Sequence, residues 1–148
     1  MQLTKNFILQ EFVSKQTYQQ FGERSVQFLD MRMVQLAQFY ADYFGKRIIV
    51  NNWNTGGTFS ERGFRDPVTC MLGAPRSQHK FGRAFDCNVD GMSVAEVYTA
   101  IINNQKKFYD AGLRCLEDIQ FTTGWIHSDS RDTSGHGMAP GQILIVKP

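Results

Sequence analysis

Two histidines and an aspartate carry the strongest chemical signal in this chain of 148 residues. His79 and Asp86 lie seven positions apart in Ser77-Gln78-His79-Lys80-Phe81-Gly82-Arg83-Ala84-Phe85-Asp86, and His127 follows in Trp125-Ile126-His127-Ser128-Asp129. Along a strand, successive side chains point to opposite faces. Phe85, Cys87 and Val89 therefore share one side, and Ala84, Asp86 and Asn88 the other. The apolar set belongs against a core, which turns Asp86 to the open face. Gly82 permits a bend or a close backbone approach, so His79 can sit at the head of this strand and converge on Asp86. Trp125, His127 and Asp129 share a face in the same way. If the two strands are neighbours, His127 joins His79 and Asp86 around one point. Two imidazoles and a carboxylate leave a tetrahedral zinc ion one open position, the layout of a catalytic site rather than a closed structural one. Zinc so held lowers the pKa of bound water and polarises a carbonyl under attack.

The elements that must position these residues follow from periodicity and punctuation. Val26, Leu29, Met33, Leu36, Ala37, Tyr40 and Phe44 recur at helical spacing, which predicts an amphipathic helix over 25–44 stopped by Gly45. Before it, Leu3 to Phe12 reads as a turn or short helix laid on the body. Residues 47–53 (RIIVNNW) are rich in β-branched side chains and read as a strand, as do 83–89 (RAFDCNV). Between them lies a glycine- and proline-punctuated stretch, 54–78. A loop that long in a compact domain is usually functional. Ser93 and Glu96 form a capping box that opens a second helix, expected to run to Asp110 and close at Gly112. Short strands are expected at 113–119, 124–129 and 142–146. This order predicts an α+β fold. Residues 1–148 form one domain with a largely antiparallel sheet, helices on one face and a cleft on the other.

Composition narrows the function class. With 42% hydrophobic and 20% charged residues, the chain is neither disordered nor fibrous. A formal net charge of +2 is too small to make nucleic acid the expected partner. No apolar run approaches a membrane span and no signal-peptide pattern opens the chain. Membrane insertion is not expected, and the chain reads as a monomer made in the cytoplasm. Cys70, Cys87 and Cys115 form neither a disulfide framework nor a CxxC metal site, and read as reduced and mostly buried.

The segment SQHKFGRAFD matches the S-x-H-x-x-G-x-A-x-D pattern of peptidase family M15, and the later WIHSD resembles the segment that supplies that family's third metal ligand. The family holds D-Ala-D-Ala carboxypeptidases and phage L-alanyl-D-glutamate endopeptidases, and is akin in structure to the Hedgehog signalling domain. LTKNFILQEF and NNWNTGGTFSERGFR also look like its small phage and prophage branch, so the resemblance covers most of the chain. It implies a zinc peptidase cutting an amide bond in peptidoglycan stem peptides or cross-bridges, with His79, Asp86 and His127 as ligands. A lysin of this kind, lacking a signal peptide, needs a holin to reach the wall. The resemblance places Arg65, after Gly63-Phe64, where the family carries an arginine; a guanidinium there can bind a substrate carboxylate or a developing oxyanion. Arg131 competes for that role.

A general base must also take a proton from the attacking water and pass it to the leaving amine. Many family members carry an acid three positions before the last histidine ligand, where this chain has Gly124. Glu117 and Asp118, on the preceding strand, are the replacements, and the R-x-x-E-D segment favours Glu117 by resemblance. Asp129 is a candidate to hold the His127 ring from behind. His136, in a glycine-flanked loop, is read as exposed and takes no role. Two rival readings remain: a zinc-binding wall-recognition or phage structural module without catalysis, supported by Gly124, and a structural domain whose ligand set is only a polar core.

Overall fold

The structure is a computed structural model covering residues 1–148. Its N-terminal quarter is built from short helical pieces. A 3-10 turn spans Leu9–Glu11, and Ser14, accepting a hydrogen bond from the Thr17 amide, opens α1 (Lys15–Phe21). The sequence reading had no element for 13–24. A further 3-10 stretch covers Gly22–Phe28. The long helix α2 is Met31–Phe44, shorter at its start than the apolar spacing predicts. Asp30 is the reason: its carboxylate caps the Arg32 amide at 3.0 Å and Leu29 is extended. Gly45 ends the helix in the left-handed conformation, as expected.

Strand β1 is only Ile48–Ile49, and the rest of 47–53 departs from the sheet because two asparagines capture backbone. Asn51 donates to Val13 O and accepts from the Arg62 amide, while Asn52 accepts from the Phe59 amide. Such side-chain bonds offer the chain an alternative to a ladder, and here they organise the long loop. Strand β2 is Ala84–Val89. The Ser93–Glu96 capping box is present and opens α3 (Val94–Asn103). The single helix expected to Asp110 is broken at Asn104 (φ −129°), after which α4 covers Gln105–Asp110. Strands β3 (Cys115–Glu117), β4 (Ile126–Asp129) and β5 (Leu144–Val146) complete the chain.

The fold is α+β, with one five-stranded sheet in the order β1-β2-β4-β3-β5. Three pairings are antiparallel, but β5 lies parallel to β3, so the sheet is mixed. One face packs on the helices through Phe85, Cys87 and Val89, which join Met33, Leu36, Tyr40, Val97 and Ile101 in a single core. The three cysteines are free and buried, as expected. No helix is long and apolar enough to cross a membrane.

Candidate metal centre

The register of the sheet delivers the site. Asp86 on β2 lies directly opposite His127 on β4. On the other side of β4, Leu116 pairs with Ser128; one step further in this antiparallel ladder, Glu117 falls opposite His127. Residues opposite each other in an antiparallel pair share a face. Asp86, His127 and Glu117 therefore form a row across three strands on the face away from the helices. Alternation sends Ser128 the other way, where its hydroxyl is 2.9 Å from that of Tyr40 on α2.

His79 reaches the row from a 3-10 turn, Gln78–Phe81. Gly82 ends that turn at φ +66°, and a Cβ there would stand 2.0 Å from Phe28 O. Both the bend and the close approach expected of this glycine are present. His79 Nε2 lies 3.2 Å from Asp86 Oδ1 and 3.2 Å from His127 Nδ1, and His127 Nδ1 is 2.9 Å from Asp86 Oδ1. All three residues are buried. A tetrahedral ion with bonds of about 2.0–2.1 Å separates its ligands by about 3.3–3.4 Å. The triangle thus needs to open by only a few tenths of an ångström, and the buried triad could hold a metal ion.

The outer contacts fix the same outcome. His79 Nδ1 donates to Gly63 O at 2.8 Å, leaving the Nε2 lone pair aimed at the triangle. His127 Nε2 donates to Asp129 Oδ2 at 3.1 Å, leaving Nδ1 for the ion. A ligand histidine whose other nitrogen is held in this way has its tautomer and ring orientation set. Asp129 is in turn clamped by Arg131, whose Nε stands 2.9 Å from each carboxylate oxygen. Asp86 keeps Oδ1 for the ion because Arg65 Nη2 takes Oδ2 at 2.8 Å, while Arg65 Nε donates to Glu61 O.

Charge follows from these contacts. Burial opposes ionisation of Asp86, but the two imidazoles outweigh it and hold the carboxyl well below its usual range. Burial likewise opposes protonation of His127, yet its bonds to Asp129 and Asp86 raise its pKa to about 9. In the metal-free protein a proton therefore sits where the cation would.

The three ligands line a cleft of about 340 Å³ with Arg65, Glu117 and Trp125. Glu117 Oε1 is 3.9 Å from His127 Nδ1, too long for a hydrogen bond, so that contact leaves its carboxylate free to turn. Asp118 does not line the cleft; its carboxylate accepts from the Gln120 amide in the following turn. Arg131 is also outside, being committed to Asp129. Gly124 has open space about it and offers only its carbonyl, which accepts from Asn88 Nδ2. His136 is exposed, as read from its loop.

One contributor, Gly63, and one role, that of Arg65 on Asp86, are not expected from the sequence. Gly63 gives the carbonyl that orients His79, and a Cβ at Gly63 would lie 2.2 Å from Phe12 O. Arg65 acts first on Asp86. Neither contact has a sequence signal, since each depends on a loop closing against residues farther along the chain. Compared with known proteins, the chain matches no family model, resembles no curated protein and shares its fold with no solved structure at a significant level.

Proposed function

We propose that this chain is a zinc-dependent peptidase of the cell-wall type, hydrolysing an amide bond in peptidoglycan stem peptides or cross-bridges. The observation that carries the reading is the row Asp86–His127–Glu117 with His79 above it: three ligand atoms closing on one point, and an untethered carboxylate beside them in an open cleft. A zinc ion bound by His79, Asp86 and His127 would supply Lewis acidity, polarising the scissile carbonyl and making water more acidic. On this reading Glu117 would take the proton from that water and hand it to the leaving amine. Arg65 holds Asp86 in its coordinating orientation, and its remaining N–H groups border the cleft, where a carboxylate or a developing negative oxygen would find them. The partly exposed ring of Trp125 forms a wall for substrate. The resemblance of SQHKFGRAFD and WIHSD to family M15 supports the same reading, as does the phage-like character of the remainder, which fits a lysin released to the wall through a holin.

The second reading is a zinc-binding wall-recognition module without catalysis. It is favoured by Gly124, which leaves no acid at the family's usual position. Mass spectrometry of muropeptides incubated with the zinc-loaded protein separates the two. A product that disappears in both His127→Ala and Glu117→Gln establishes the peptidase and its base, and the mass change identifies the bond. Bound zinc and wall affinity with no product from several wall types would establish the recognition module instead.

A further inference from the structure

A second concavity shares no residue with the metal cleft and is lined by four arginines. The sheet register explains why they gather. Ala84 and Cys115 both pair with Asp129, so the start of β2, the start of β3 and the end of β4 meet at one end of the sheet. Arg83 and Arg114 each precede one of these strands, and Arg131 follows β4 by two positions. Backbone bonds lock the junction: the Ser130 amide donates to Arg83 O at 3.0 Å, and the Arg114 amide donates to Asp129 O at 2.9 Å. The first turn of α2 adds Arg32, brought in by the Asp30 amide donating to Gly82 O.

The four guanidinium groups are not equivalent. Arg32 is paired with Asp30, and Arg131 with Asp129. Arg114 has only neutral partners. It donates to Tyr109 O and Leu113 O and lies 3.8 Å above the Tyr109 ring, which fixes its plane without neutralising it. Arg83 stands 3.8 Å from the already paired Asp30, with its side chain 47% exposed. Asp132, the one acid of the lining, has an oxygen accepting from the Ser134 amide. Arg114 thus faces the pocket without a carboxylate partner and Arg83 with only a share of Asp30, flanked by the hydroxyl residues Ser130 and Thr133. The cavity is about 500 Å³, within the range of small-molecule sites and larger than a bare inorganic anion requires.

We propose that this pocket binds a phosphate ester, its phosphate bridging Arg83 and Arg114. Planar guanidinium forks match phosphate oxygens in pairs, and the four arginines outnumber the three carboxylates about them, Asp30, Asp129 and Asp132, so the pocket favours an anion. Room remains for the alcohol that carries it. The same chemistry is offered by a free phosphorylated polyol and by the phosphates of a glycerol-phosphate polymer. The inference does not depend on the peptidase reading, because the two cavities share no lining residue and Arg131 reaches the metal centre only through Asp129.

The test is an amide-resolved NMR titration of the full chain with glycerol 3-phosphate, and in parallel with a glycerol-phosphate polymer, at constant ionic strength. Saturable shifts at the amides of Arg83, Arg114, Ser130 and Thr133 are expected. Affinity should fall by about tenfold or more in Arg114→Gln and in Arg83→Gln, and stay unchanged in Arg24→Gln. Arg83 has its side chain half in solvent, so its variant keeps the test valid should Arg114→Gln fail to fold. Tighter binding of the monoester or of the polymer identifies the source. Shifts confined to the metal cleft, at Gly73 and Trp125, would overturn the proposal. So would an affinity unaltered in a folded Arg83→Gln or Arg114→Gln protein, or the absence of saturable shifts with either probe.

Discussion

Asp129→Asn removes one charge and almost no volume, and so isolates what the outer contact contributes to the metal centre. Asp129 is fully buried, accepts from His127 Nε2 at 3.1 Å and accepts from Arg131 through both carboxylate oxygens. The amide keeps a single oxygen acceptor, and that oxygen carries no full charge. A hydrogen bond to a charged group contributes about 1.5–3 kcal/mol and a neutral one about 0.5–1.5, so the exchange costs about 1–2 kcal/mol at the His127 contact. At 1.36 kcal/mol per decade, metal affinity should fall by about tenfold, the lower end of the 10–100-fold typical of such outer partners. The Arg131 side chain is 28% exposed and can turn to water, so the fold should survive. The assay is competition with a chromophoric chelator, with circular dichroism of the metal-free variant as the check on folding. Arg131→Gln, which spares the Asp129–His127 bond, should weaken the metal less. A folded Asp129→Asn protein with wild-type metal affinity would refute the assignment of Asp129 as the group that orients and polarises His127.

Three further outcomes are expected. Glu117→Gln should keep its metal within a few-fold while cleavage of wall peptides drops by about 10²–10⁴, and Asp118→Asn should leave both unchanged; equal effects of the two substitutions would remove Glu117 from its role. Gly63→Ala, whose Cβ would meet Phe12 O at 2.2 Å, should lose about 1–3 kcal/mol of stability and bind metal more weakly, because the displaced Gly63 carbonyl holds His79; denaturant melts and metal titrations read the two effects. Finally, the His127 pKa lies at about 9 against an ordinary value of 6.5. In the metal-free protein its stabilising contribution is therefore complete below about pH 6.5 and lost as pH rises through about 9. A metal must displace that proton. Calorimetry in buffers of different ionisation heat should find close to one proton released per ion near neutral pH, with apparent affinity climbing up to about pH 9. Uptake without proton release would contradict the coupling.

Local signals were legible in the sequence wherever the physics is short-range. The alternation of Ala84 to Val89 predicts which side of β2 is apolar, and Phe85, Cys87 and Val89 do enter the core while Asp86 faces the cleft. Ser93 and Glu96 predict a helix start because each caps the other's amide within one turn. Gly45 and Gly82 predict a stop and a bend because only the absence of a Cβ makes positive φ easy. Alternation allowed His79, Asp86 and His127 to converge if β2 and β4 are neighbours, and the resemblance of SQHKFGRAFD and WIHSD to a known pattern singled them out as a set.

The pairing of strands was not legible, because register is settled by contacts between residues far apart along the chain. Only the tertiary structure places Leu116 opposite Ser128, and that one pairing puts Glu117 in the row with His127 and turns Asp118 away. The parallel docking of β5 and the departure from the sheet at Asn51 have the same origin: side chains and backbone groups satisfied by distant partners, which local periodicity does not record. The Gly63 carbonyl behind His79, the Arg65 bond to Asp86 and the gathering of Arg83, Arg114 and Arg131 at one end of the sheet belong to that class too. Sequence determined the chemistry available on each short segment, since backbone alternation, capping and glycine conformation act within a few residues. Tertiary structure decided which of those segments meet, since burying one apolar face of the sheet fixes its register and hence every neighbour on the other.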